Sequence, residues 1–182
     1  LKLEGEFIFC AFALFVLPMG VVQAGATLAG DPAVVTAAQA LTSLAVFVVV
    51  PIAMVGARRY RLSRTSWRAI RFGFDGGARD YLHVFVKGSL LTALTLGLYY
   101  PIFHVRSHAF MVSHSRFGQR PFRFDGVPRE TFGPFLIAAL LFLPTLGLSW
   151  VWHLAWRRRY YWGHTAFEGA RFRCTVTGGQ LL

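Results

Sequence analysis

Few residues of this 182-residue chain have both the type and the spacing for chemistry. His83 and Lys87 lie four apart, on one face of any helix that carries them, inside apolar sequence. An ionisable pair held in hydrocarbon marks a substrate or proton path, so the two form a candidate intramembrane polar site. The plainer alternative is that both snorkel to the headgroups. His104 and His108 repeat the spacing, with His114 beyond. A zinc site wants a third protein ligand, and no His-Glu-x-x-His or paired-cysteine pattern supplies one, so interfacial histidines are the simpler reading and no metal is expected. Asp75 and Asp125 each precede glycine, with Asp80 and Glu130 close by. Acids so placed form turns, cap helices or pair with arginine. A catalytic carboxylate pair would need them on one face, and they fall in different segments. No phosphate loop, nucleophile elbow or nicotinamide fingerprint is present, so neither an enzyme nor a cofactor is expected.

The arginines are the other candidates. Arg58, Arg59, Arg61, Arg64, Arg68 and Arg71 crowd one stretch, and Arg157, Arg158 and Arg159 another. Guanidinium groups take phosphate or carboxylate bidentately. In a soluble protein a net charge of +11 would suggest nucleic acid, but this chain is 55% hydrophobic with mean hydropathy +0.49. Its arginines are confined to gaps between apolar segments, which is the pattern of membrane topology and contact with anionic headgroups. Anionic lipid is therefore the expected partner, and nucleic acid is not expected. Oligomeric state is not specified. Cys10 and Cys174 are too far apart in pattern for a disulfide framework or a metal site.

The elements that must position these residues are long. Phe7–Leu28, Pro32–Ala57, Tyr81–Phe103 and Phe132–Trp156 each reach the roughly 20 apolar residues that cross a bilayer as a helix. The expected fold is an all-α integral membrane protein of about four transmembrane helices. Residues 1–57 form an N-terminal pair of spans and residues 58–182 a series of repeated units, truncated at both ends. The first stretch lacks a basic leader and a cleavage site, so no signal peptide is expected. A start without Met and an apolar finish suggest a piece of a longer protein.

The later gaps repeat every 50 residues or so. Thr65, Ser115 and Thr165 align; so do Trp67, Phe117 and Phe167, and Phe72, Phe122 and Phe172. Thr95-Leu96-Gly97-Leu98 matches Thr145-Leu146-Gly147-Leu148, and Leu1–Gly5 resembles Phe72–Gly76. Each unit reads as a basic helix end, an interfacial amphipathic helix, and a small β-hairpin whose alternating stretch recurs at Arg71, Arg120 and Arg171. Alternation across four full spans puts the first and third basic gaps in the cytoplasm and the second outside. A competing arrangement turns the chain back at Thr-Leu-Gly-Leu as a re-entrant hairpin, so that every basic gap shares a face. The full span is preferred on length.

The tract Arg59–Gly73 resembles the central signature of YjgN-like bacterial inner-membrane proteins, a family of unknown function. Thr95–Tyr99 and Phe122–Gly126 look like that family's repeat, and the likeness covers roughly Arg58 to Leu182. The last copy departs from it, with Cys174-Thr175-Val176 in place of Phe-Asp-Gly. The resemblance implies a multi-pass protein of the bacterial inner membrane and supplies no catalytic residue or ligand. Two functions are consistent with it. Repeated spans, inverted from copy to copy, would suit transport of a small or anionic solute. A basic aromatic rim would suit a non-catalytic scaffold binding anionic lipid or a partner protein.

Overall fold

The computed structural model describes residues 30–175, with positions 20, 21, 24, 25, 27, 28 and 179. The Leu1–Gly5 remnant, Cys10 and most of the Phe7–Leu28 stretch lie outside the described residues. The chain divides into two units, 1–50 and 51–182. Helix α1 (Pro32–Arg64) runs from the first into the second. Asp31 starts it: its carboxylate accepts the Ala33 N–H at 2.9 Å, and Pro32 fits the first helical position. Among the described residues α1 is the one helix long and apolar enough to cross a membrane.

The four-span expectation therefore fails, because both later apolar runs break in mid-course. Tyr81–Phe103 is divided between α2 (Ala78–Leu94) and α3 (Tyr100–Ser113), and Phe132–Trp156 between α4 (Phe132–Leu140) and α5 (Leu148–Gly163). The break lies in Thr-Leu-Gly-Leu. Leu96 and Gly97 adopt φ of 51° and 91°, and Leu146 and Gly147 of 50° and 86°, so each pair turns left-handed and ends the helix. The Gly97 N–H donates to the Thr92 carbonyl at 2.7 Å, and the Gly147 N–H to that of Phe142 at 2.9 Å. The threonine hydroxyl then starts the returning helix: Thr95 Oγ1 accepts the Tyr99 N–H at 3.0 Å, and Thr145 Oγ1 the Ser149 N–H at 3.1 Å. A hydropathy profile cannot register this device, since its residues are themselves apolar. Helices α2 and α3 pack together, as do α4 and α5, giving two helical hairpins. Gly88 allows the first: a Cβ there would lie 1.9 Å from the Phe103 ring.

Nor is the protein all-α. Seven short strands follow the helix ends: β1 (Ser66–Trp67), β2 (Ile70–Phe74), β3 (Ser115–Phe117), β4 (Arg120–Pro121), β5 (Arg123–Phe124), β6 (Thr165–Phe167) and β7 (Ala170–Arg171). They form antiparallel sheets in the orders β1-β2-β3-β4 and β5-β6-β7. Each copy hands its second strand to the next. Ile70 and Arg71 pair with β1 of their own hairpin, whereas Phe72, Gly73 and Phe74 pair with Phe117, Arg116 and Ser115. Likewise β4 pairs with β3, and β5 pairs with β6. The basic gaps thus meet in continuous sheets, so alternation of the middle gap to the opposite membrane face is overturned. The expected interfacial helices are also absent as separate elements among the described residues. Arg58–Arg64 and Arg157–Arg159 lie within α1 and α5 themselves, Arg116, Arg120 and Arg123 lie on strands, and Pro128–Thr131 is a single 3-10 turn. The repeat persists inside: Val55, Val105 and Ala155, fifty residues apart, are all buried.

Candidate functional site

The ends of α1, α3 and α5 and the strands that follow them border an open-mouthed cavity of about 250 Å³. Its wall is built from the same few repeat positions, taken from successive copies. One position supplies Leu62, Val112 and Trp162; a second supplies Phe72, Phe122 and Phe172. A third supplies Ser115 and Thr165, and a fourth Arg58 and His108. Equivalent helix ends feeding equivalent strands bring equivalent side chains to one place. The aromatic row is continuous. Phe72 and Phe122 stack at 6.4 Å between ring centres, and Phe172 lies 6.4 Å from Phe122. Phe117 backs Phe72 at 4.7 Å and Phe167 backs Phe122 at 5.0 Å.

The hydroxyl row is structural. Thr65, Ser115 and Thr165 each donate to the carbonyl four residues earlier, at 2.9, 2.7 and 2.7 Å. Their protons are spent on closing the helix ends, so Ser115 and Thr165 offer the cavity only acceptors. Arg58 Nη2 approaches Ser115 Oγ at 3.4 Å, which is long for a hydrogen bond. Arg58 Nε and His108 Nδ1 are buried and have no partner. The His108 ring lies flat on Tyr161, 4.2 Å between centres, and the Tyr161 hydroxyl shares a proton with His104 Nδ1 at 2.6 Å. Burial, and then the neighbouring His104, Arg58 and Arg157, hold His108 down to about 4. It lines the cavity as a neutral imidazole whose Nδ1 has no partner.

The other candidates scatter. His83 and Lys87 are exposed on α2 and line no part of this cavity. His114 Nδ1 contacts the Phe110 carbonyl at 2.8 Å, and His164 repeats the contact with Tyr160. His104 and His108 thus meet at Tyr161 while His114 stands apart, and among the described residues no three His, Cys, Asp or Glu side chains converge as metal ligands. The repeated acids pair with arginine: Asp75 with Arg116 at 2.9 Å and Asp125 with Arg171 at 2.6 Å, while Glu168 pairs with Arg120. Trp67 is exposed on β1. Arg59 donates to the Gly76 carbonyl at 2.9 Å, and Arg64 lies 5.5 Å over the Tyr60 ring. Arg157 is half-buried, and Arg61, Arg68, Arg71, Arg158 and Arg159 point outward as a basic rim. Sequence reasoning missed the distinction of Arg58 from its cluster, the role of Tyr161, and His153, which is buried with an unpartnered Nδ1. The signal was available: Arg58 and His108, like Leu62, Val112 and Trp162, obey the 50-residue spacing.

A family model described as a bacterial protein of unknown function, DUF898, matches residues 7–152. No curated protein and no solved structure matches the chain.

Proposed function

The chain belongs to the bacterial DUF898 family of unknown function, and from that premise we propose that it is a non-catalytic membrane protein that gathers anionic lipid at one face of the bilayer. Helix α1 crosses the hydrocarbon. The two helical hairpins dip into it from the sheet side and turn back without spanning, and the arginine rim lies among the headgroups. One observation carries this reading. The turn leucines Leu96 and Leu146, 94% and 96% exposed, stand bare at the hairpin ends remote from the strands. Leu94, Leu140 and Leu143 beside them are also largely exposed. Each such side chain forgoes about 1.5–3 kcal/mol by staying in water and recovers it in an apolar medium. The longer arms suit partial insertion: 17 and 16 residues make helices of about 25 Å, short of the ~30 Å core. Irregular backbone at depth is tolerated when its polar groups are satisfied, as the glycine N–H and threonine hydroxyl bonds do here. Exposed arginines on the opposite side suit the anionic cytoplasmic leaflet.

Solute transport drew its support from spans inverted from copy to copy. Sheet pairing gives the copies one orientation, so that support is lost. The test is depth. Spin labels at Leu96→Cys and Leu146→Cys in lipid nanodiscs should be relaxed by oxygen and shielded from a water-soluble nickel chelate, with a label at Gln119→Cys showing the reverse. Native mass spectrometry should find phosphatidylglycerol retained over phosphatidylcholine, and Arg158→Gln with Arg159→Gln should reduce that preference. Tips as accessible to the chelate as Gln119 would rule the reading out.

A further inference from the structure

The cavity holds two facts that the rim does not explain. Its wall is aromatic and aliphatic, yet two of its residues, the equivalent Arg58 and His108, each carry a buried nitrogen without a partner. Buried polar atoms are nearly always hydrogen-bonded, so an unmatched pair at one cavity calls for a group that completes it. We propose that this cavity is a binding site for a small amphiphilic anion, a short acyl or aryl chain ending in carboxylate or phosphate. The head would take the Arg58 guanidinium, with His108 as a neutral second contact, and the chain would lie along Phe72, Phe122 and Phe172.

Three observations select that chemistry. Arg58 is the one charged residue of the wall, and the hydroxyls of Ser115 and Thr165 are committed to carbonyls, so the free donor is cationic. The aromatic row and the leucine and valine of the next position offer an apolar bed with no second charge for a polar tail. At about 250 Å³ the space falls just below the range of drug-sized pockets, about 300–1,000 Å³, which limits the ligand to a short chain or a single ring. The site does not rest on the membrane reading, since its lining, aromatic row and unpartnered nitrogens are features of the folded chain alone.

Trp162 in the wall supplies the readout. The full chain in phosphatidylcholine nanodiscs is titrated with octanoate, octyl phosphate, octanol and inorganic phosphate. The fluorescence signal assigned to the site is the part abolished by Trp162→Phe. Octanoate or octyl phosphate should change it saturably and bind at least about tenfold more tightly than octanol, while inorganic phosphate alone gives no saturable change. Arg58→Gln should bring the acids down to the octanol level, and Val112→Phe, which fills the space, should abolish every response. Octanol binding as tightly as the acids, inorganic phosphate as tightly as octyl phosphate, no saturable response in the native sequence, or an unchanged affinity in Arg58→Gln would each overturn the proposal. If Arg58→Gln fails to fold, the comparison of acids with octanol in the native sequence still decides it.

Discussion

Arg58 and His108 show how little a residue's type reveals until its neighbours are known. Arg58 is one of six arginines within fourteen residues, and only its place on the inner side of α1 separates it from the outward rim. By spacing His108 pairs with His104 as an interfacial histidine, yet its ring is stacked on Tyr161 and held down to about 4 by burial. That depression has a thermodynamic sign. The unfolded chain takes up a proton near 6.5 and the folded one only near 4, so the stabilising difference is full above about 6.5 and is lost as pH falls toward 4. Thermal melts between pH 7 and 4 should show the melting temperature falling over this window, and His108→Gln should make that limb shallower without removing it, because burial holds His104 down to about 4 as well. Gly88 makes a second case. Any Cβ there meets Phe103, so Gly88→Ala is expected to cost about 1–3 kcal/mol, and Phe103→Leu in the same background should recover part of it. The following copy resolves the same contact differently, with Ala138 and His153 at the equivalent positions.

At the scale of elements, turns decided the fold. Thr-Leu-Gly-Leu is legible as a repeat, and its power to stop one helix and start the next resides in two left-handed residues and one hydroxyl. The β-turns follow related rules. A two-residue hairpin turn favours positive φ, which the third copy meets with Glu168-Gly169 and the middle copy begins with Gly118. The first copy places Arg68 and Ala69 there, at φ of 49° and 65°. Neither is glycine, so this turn is strained. Ala69→Gly should stabilise the protein by up to about 1 kcal/mol, read as a rise of about 2–4 °C in melting temperature. A lower melting temperature in Ala69→Gly would show that the hairpin gains more from the alanine side chain than it loses in backbone strain.

For the whole molecule, the consequence is one-sidedness. Because β2 pairs with β3, and β5 with β6, the three β-hairpin turns belong to one face. Single cysteines at Arg68→Cys, Gln119→Cys and Glu168→Cys should all react, or all fail to react, with a membrane-impermeant maleimide on intact cells. A four-span arrangement would separate Gln119 from the other two. The same pairing explains how one cavity draws on three copies. The strand β2, which begins in its own hairpin and ends in the next, carries Phe72 across the seam between repeats to stack on Phe122, and the β4–β5 segment does the same for Phe122.

The sequence by itself determined the apolar character of the chain, its arginine-bordered segments, its family likeness, and the 50-residue repeat on which the cavity depends. These are properties of residue type and spacing, and they survive any folding of the chain. It did not determine whether an apolar run crosses or returns, because hydropathy sums over residues and is blind to the sign of φ at Leu96 and Gly97. Nor could it separate Arg58 from Arg59, since burial is a property of the assembled neighbours. Only the tertiary structure, by pairing each hairpin with the next, put an arginine and a histidine fifty residues apart into the same apolar wall.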